Sequence, residues 1–78
     1  MKINPNTYYK ISYNDNYNIL YTNNEWIYKI AYKYKDKPLL KYDEKFKWGT
    51  INEWQEMIDK HSYNIEEISK EEVFLELL

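Results

Sequence analysis

The stretch Trp26 to Lys35, Trp-Ile-Tyr-Lys-Ile-Ala-Tyr-Lys-Tyr-Lys, alternates along its whole length. Successive side chains of a strand point to opposite faces. Trp26, Tyr28, Ile30, Tyr32 and Tyr34 are therefore expected on one apolar face, and Ile27, Lys29, Ala31, Lys33 and Lys35 on a mostly basic one. The alternative is an amphipathic helix capped by Asn24, which would gather Trp26, Ile27, Ile30, Ala31 and Tyr34 at helical spacing. The aromatic and β-branched content favours the strand. The preceding segments alternate too: Tyr9, Ile11 and Tyr13 stand opposite Tyr8, Lys10 and Ser12, and Tyr17, Ile19 and Tyr21 opposite Asn18, Leu20 and Thr22. Asn14-Asp15-Asn16 and Asn23-Asn24 are turn formers, because their side chains bond their own backbone. Residues 7 to 35 thus read as a three-stranded meander behind a polar entry arm, Met1 to Asn6.

Asp36-Lys37-Pro38 breaks the pattern, since proline lacks a donor and restricts its predecessor. Leu39 to Tyr42 fits a short fourth strand, and Asp43 to Trp48 a strand end plus connection closed by Gly49. Thr50 and Glu53 have capping-box spacing, followed by an apolar stripe of Ile51, Trp54, Met57 and Ile58, which predicts a helix packed on the sheet. Ile65 to Ser69 is open between a short strand and a helical turn. Ser69 and Glu72 repeat the capping-box spacing and predict a final helix through Val73, Phe74, Leu77 and Leu78, with a fifth strand from Val73 to Leu77 as the alternative. The expected fold is α+β: an antiparallel β-meander of three to four strands packed by one amphipathic helix, with a short C-terminal helix or fifth strand. Residues 1–78 form a single domain, with Trp26, Ile30, Trp54 and Ile58 in a common core.

Composition narrows the chemistry. A chain of 78 residues holds one core. It has no cysteine, which removes disulfides and thiolate metal sites and points to a reducing, cytoplasmic setting. The first residues contain no apolar run of signal-peptide length, and no stretch approaches the roughly 20 apolar residues of a membrane span. Every basic residue is lysine, and Asn, Tyr and Ile abound, as AT-rich codons supply; a low-GC genome follows. Ten tyrosines and three tryptophans imply a core of rings whose polar tips reach the rim. Charge is segregated: residues 26–50 carry a net charge of plus four, and residues 51–78 a net charge of minus six.

No constellation for catalysis stands out. His61 is the sole histidine and lacks a second ligand or base partner; a helix-end surface role suits it. A single glycine excludes a glycine-rich phosphate loop. No cofactor and no metal are expected, and the chain reads as a non-enzyme. The Lys and aromatic interleave from Tyr28 to Trp48 has the composition of a single-strand nucleic-acid platform. On a regular strand, however, rings and lysines would face opposite ways, so no direct nucleic-acid binding is expected. Glu66, Glu67, Glu71 and Glu72 are the candidate partner-binding residues, because clustered carboxylates offer the potential that a basic nucleic-acid groove attracts.

A tiny, cysteine-free, acidic α+β chain without catalytic motifs, ending in this acidic segment, resembles the small inhibitors carried by phages and mobile elements, the anti-CRISPR proteins among them. The resemblance implies stoichiometric binding to a host protein or ribonucleoprotein complex in the bacterial cytoplasm, and inhibition of a nucleic-acid-handling defence system. A small single-strand nucleic-acid-binding regulator using the Lys and aromatic midsection is the alternative. No membrane partner is expected, and a homodimer is left open.

Overall fold

The computed structural model describes the backbone of residues 1–78 and the side chains of all but residues 43–45. In chain order the elements are β1 (Tyr8–Tyr13), β2 (Asn16–Thr22), β3 (Trp26–Tyr34), β4 (Leu40–Thr50), α1 (Ile51–Lys60), β5 (Asn64–Ile68) and α2 (Lys70–Leu77). The five strands form one sheet in the order β4-β3-β2-β1-β5, with every neighbouring pair antiparallel. The first four strands follow the expected meander, but β4 is not the short strand expected over Leu39 to Tyr42: it runs on to Thr50, through the segment expected to be a strand end and connection. The fifth comes from the segment left open, and it returns after α1 to pair beside β1.

Local chemistry accounts for the turns. Asn14 takes a left-handed backbone (φ 53°) between the paired Tyr13 and Asn16, a conformation that asparagine tolerates. The Asn23 side-chain oxygen accepts the amides of Glu25 (2.9 Å) and Trp26 (2.7 Å), which commits the asparagine pair to a turn and not to a helix cap. Both capping boxes form: Thr50 and Glu53 start α1, and Ser69 and Glu72 start α2. Each helix thus begins directly where a strand stops.

The helices cover opposite faces of the sheet. Trp54 of α1 is buried with Ile3, Tyr9, Ile11, Leu20 and Ile27, and Ile51 and Ile58 pack against this cluster. Val73 of α2 is buried with Ile19, Ala31 and Ile68, joined by Ile30 and Leu77. Ile19 and Leu20 are successive residues of β2, and the strand period sends one to each cluster. The core is therefore two half-cores with the sheet between them, and Ile30 and Ile58 do not share one.

Two expectations are corrected here. The alternating faces proposed for Trp26 to Lys35 do not persist along β3. Leu20 pairs with Lys29 but Ile19 with Ala31, so Ile30 is an extra, bulged residue against β2, and on the β4 side the register shifts between Ile27 and Tyr28 and again between Lys29 and Ala31. Ile27 and Ala31, assigned to a basic face, are the fully buried positions, and they serve different half-cores. The entry arm is also part of the core. Ile3 is buried, its amide donates to Gln55 Oε1 (2.8 Å), and Gln55 Nε2 donates to the Met1 carbonyl (2.8 Å). Buried Thr22 completes the attachment by donating to the Asn4 carbonyl (2.7 Å) and accepting the Thr7 amide (3.0 Å).

Candidate functional site

Two surfaces collect unusual chemistry. The first is the acidic end. Glu66 and Glu67 lie on β5, an edge strand, and Glu71 and Glu72 in the first turn of α2; all four are exposed. They do not form one row. Glu66 pairs with Lys10 on the α2 face of the sheet, whereas Glu67 pairs with Tyr9 and belongs to the α1 face. Glu72 is partly committed, since its carboxylate faces the Ser69 amide and hydroxyl at 3.4 Å.

Next to these acids, α2 presents an apolar stripe to the outside. Val73 and Leu77 point inward, which leaves Glu71, Phe74, Leu75 and Leu78 at helical spacing on the other side. Phe74 is 59%, Leu75 71% and Leu78 96% exposed. A helix apolar on both sides is ordinarily covered on both. Its inner side is fastened by Glu76, which accepts a 2.5 Å hydrogen bond from the Tyr17 hydroxyl and pairs with Lys10 at 3.7 Å. Lys10 also sits 4.0 Å over the Tyr17 ring. Burial first, then the hydrogen bond and charge of Glu76, push the Tyr17 phenol up to about 12.

The second surface lies on the α1 face and was not foreseen as a unit. Lys29 Nζ stands among four rings, 4.9 Å from that of Trp48 and 5.5 to 5.7 Å from those of Tyr42, Phe46 and Tyr32. The bulge at Ile30 makes this arrangement, because it places Tyr32 on the same side of β3 as Lys29. The ground for separating rings from lysines therefore fails at Lys29. Trp48 continues the aromatic surface into α1: its ring lies 4.5 Å from that of Trp54, and Trp54 meets Tyr63 edge-on at 6.1 Å. The Trp54 indole N–H donates to the Trp48 carbonyl (3.0 Å). Ile11, Tyr13, Asn18, Trp48, Trp54 and Tyr63 surround a cleft of about 230 Å³. At its wall, Asn18 Oδ1 is buried without a hydrogen-bond partner.

His61 is exposed at the end of α1, where its backbone amide donates to the Met57 carbonyl (2.9 Å). Its ring meets Tyr63 edge-on. Among the described residues, no three His, Asp or Glu side chains group in a way that could hold a metal ion, and no helix is long and apolar enough to cross a membrane. Comparison with protein-family models, with curated proteins and with solved structures gave no match.

Proposed function

We propose that this chain is a non-enzymatic binding protein that inhibits a nucleic-acid-handling host complex by direct protein contact, in the manner of the anti-CRISPR proteins it resembles. The observation that carries the reading is the outward apolar stripe of α2, Phe74, Leu75 and Leu78, bordered by the exposed Glu66, Glu71 and Glu72. Apolar area supplies the affinity of a contact, and a carboxylate border selects a basic partner surface such as a nucleic-acid groove. The test is affinity capture from a low-GC bacterial lysate with the parent chain, with Leu75→Ser, and with the quadruple Glu66, Glu67, Glu71 and Glu72→Gln variant. A partner held by the parent, lost by Leu75→Ser, and unable to bind its nucleic acid while captured would support the reading. A partner retained equally by all three baits would refute it.

A second reading, a small single-strand nucleic-acid-binding regulator, is favoured by one observation, the placement of Lys29 among the rings of Tyr32, Tyr42, Phe46 and Trp48. Stacking rings beside a cation are what sequence-tolerant single-strand binding requires. The acidic total lowers non-specific attraction for phosphate without abolishing a local site.

A further inference from the structure

We infer that the cleft between the sheet and α1 is a seat for one unstacked nucleobase that carries a phosphate. The inference rests on the second reading and names the residues that would do the binding. Four independent features converge on it. The walls are rings: Trp48 and Trp54 in contact at 4.5 Å, with Tyr63 and Tyr13 at the mouth, where Tyr13 is largely exposed. The cleft, at about 230 Å³, is smaller than the roughly 300–1,000 Å³ of sites for drug-sized ligands, which suits a single planar heterocycle.

The third feature is the unsatisfied amide. Asn18 Oδ1 is buried and has no partner, although its amide carbonyl accepts hydrogen bonds strongly. Buried polar atoms are paired in nearly all proteins, and because Asn18 lines the cleft, a turn of its amide would bring this unpaired carbonyl to a donor seated there. The exocyclic amino group of adenine or cytosine is such a donor on an otherwise flat ring, and asparagine is a frequent reader of adenine's edge. An aliphatic ligand would fill the cleft but leave the carbonyl orphaned. The fourth feature is charge. Lys29 Nζ is 4.9 Å from the ring of Trp48, the residue that lines the cleft, so a phosphate attached to the seated base would meet a cation across that ring. Tyr32, Tyr42 and Phe46 around Lys29 then offer faces for a neighbouring base of the same strand.

The same chemistry could come from a free nucleotide or from a single strand, and the experiment separates them. Quenching of tryptophan fluorescence is titrated with adenosine monophosphate, with an eight-residue deoxyadenosine strand, and with an abasic strand of equal length, against the parent chain and the Asn18→Leu, Tyr63→Ala and Lys29→Gln variants. Equal melting temperatures establish that each variant is folded. Quenching by the adenine ligands but not by the abasic strand is expected, weakened about tenfold or more by Tyr63→Ala. Asn18→Leu should weaken the adenine ligands, and Lys29→Gln should flatten the salt dependence. A strand that binds more tightly than the mononucleotide identifies single-stranded nucleic acid as the source; equal affinity per base identifies the free nucleotide. No quenching by any ligand overturns both the inference and the reading beneath it. Strand binding that survives Asn18→Leu and Tyr63→Ala unchanged overturns the cleft alone and leaves that reading standing.

Discussion

Gly49→Ala is the substitution whose cost can be worked out most fully. Gly49 has φ +144°, a conformation that side-chain-bearing residues rarely adopt, and holding another residue in so sparse a region costs about 1–3 kcal/mol. A Cβ there would also lie 2.9 Å from Trp54 Nε1, closer than real Cβ atoms come, and 3.0 Å from its Cδ1, a tighter contact than nearly all real ones. The indole must move, and its 3.0 Å hydrogen bond to the Trp48 carbonyl is lengthened or lost, which costs about 1 kcal/mol more. The sum is about 2–4 kcal/mol, against a total of roughly 4–12 kcal/mol for a chain this size. Because each kcal/mol moves the midpoint of a small domain by about 4–8 °C, melting should fall by roughly 8–32 °C. Urea and thermal unfolding followed by tryptophan fluorescence measure it. A double-mutant cycle with Trp54→Phe, which removes Nε1, separates the two causes: the Gly49→Ala penalty should shrink by about 1 kcal/mol in that background. An undiminished penalty would mean that the contact with Trp54 contributes nothing, and an unchanged melt of Gly49→Ala alone would refute the whole account.

The remaining predictions concern pH, caps and charge. Tyr17 holds its proton more tightly when folded, at about 12 against 10.0, so its contribution is fully present below pH 10 and is lost as pH rises toward 12; Tyr17→Phe should flatten the alkaline limb of stability measured by urea titration between those values. The Thr50 amide and hydroxyl both donate to the Glu53 carboxylate and hold it below the ordinary carboxylate range, so its contribution is present at neutral pH and fades in acid, and a Glu53→Gln chain should lose less stability on acidification than the parent. Thr50→Ala and Ser69→Ala should each cost about 1 kcal/mol by loss of an N-cap, seen as a lower urea midpoint with unchanged slope. With a captured partner in hand, the quadruple Glu→Gln variant should associate more slowly at low salt and converge with the parent at high salt in a kinetic binding assay, and an equal rate at low salt would refute electrostatic steering.

Local signals carried the elements well. The two capping boxes need only a hydroxyl and a carboxylate three residues apart, so Thr50, Glu53, Ser69 and Glu72 could be placed from spacing alone. The asparagine turns were legible for the same reason. What could not be read is what long-range pairing decides. The bulge at Ile30 shows only in the pairing of β3 with Ile19 and Leu20 of β2, and nothing within Trp26 to Tyr34 marks one residue as surplus. That surplus residue brought Lys29 and Tyr32 to one face and assembled the aromatic surface that simple alternation had divided. Ile3 looked like part of a polar arm, because its burial rests on long-range contacts: its side chain joins the cluster of Trp54 and its amide is held by Gln55, which lies 52 residues away in the chain. The four carboxylates are exposed, yet strand periodicity separates Glu66 from Glu67, and the apolar stripe beside them on α2 depends on Val73 and Leu77 facing inward.

The sheet has two edge strands, and the charges on their described side chains differ in sign. One is β4, with exposed Lys41 and Lys47, and the other is β5, with exposed Glu66 and Glu67. Like-charged edges would hold copies apart, which is how many sheets avoid growing. Here the described lysines of one edge are complementary to the carboxylates of the other. A join between two such edges would use two different surfaces, so it would leave one of each kind free. Attraction between charges so placed would reach about 8–10 Å at physiological ionic strength and further in dilute buffer. The segregation of charge along the chain thus becomes, once folded, a polarity across the molecule.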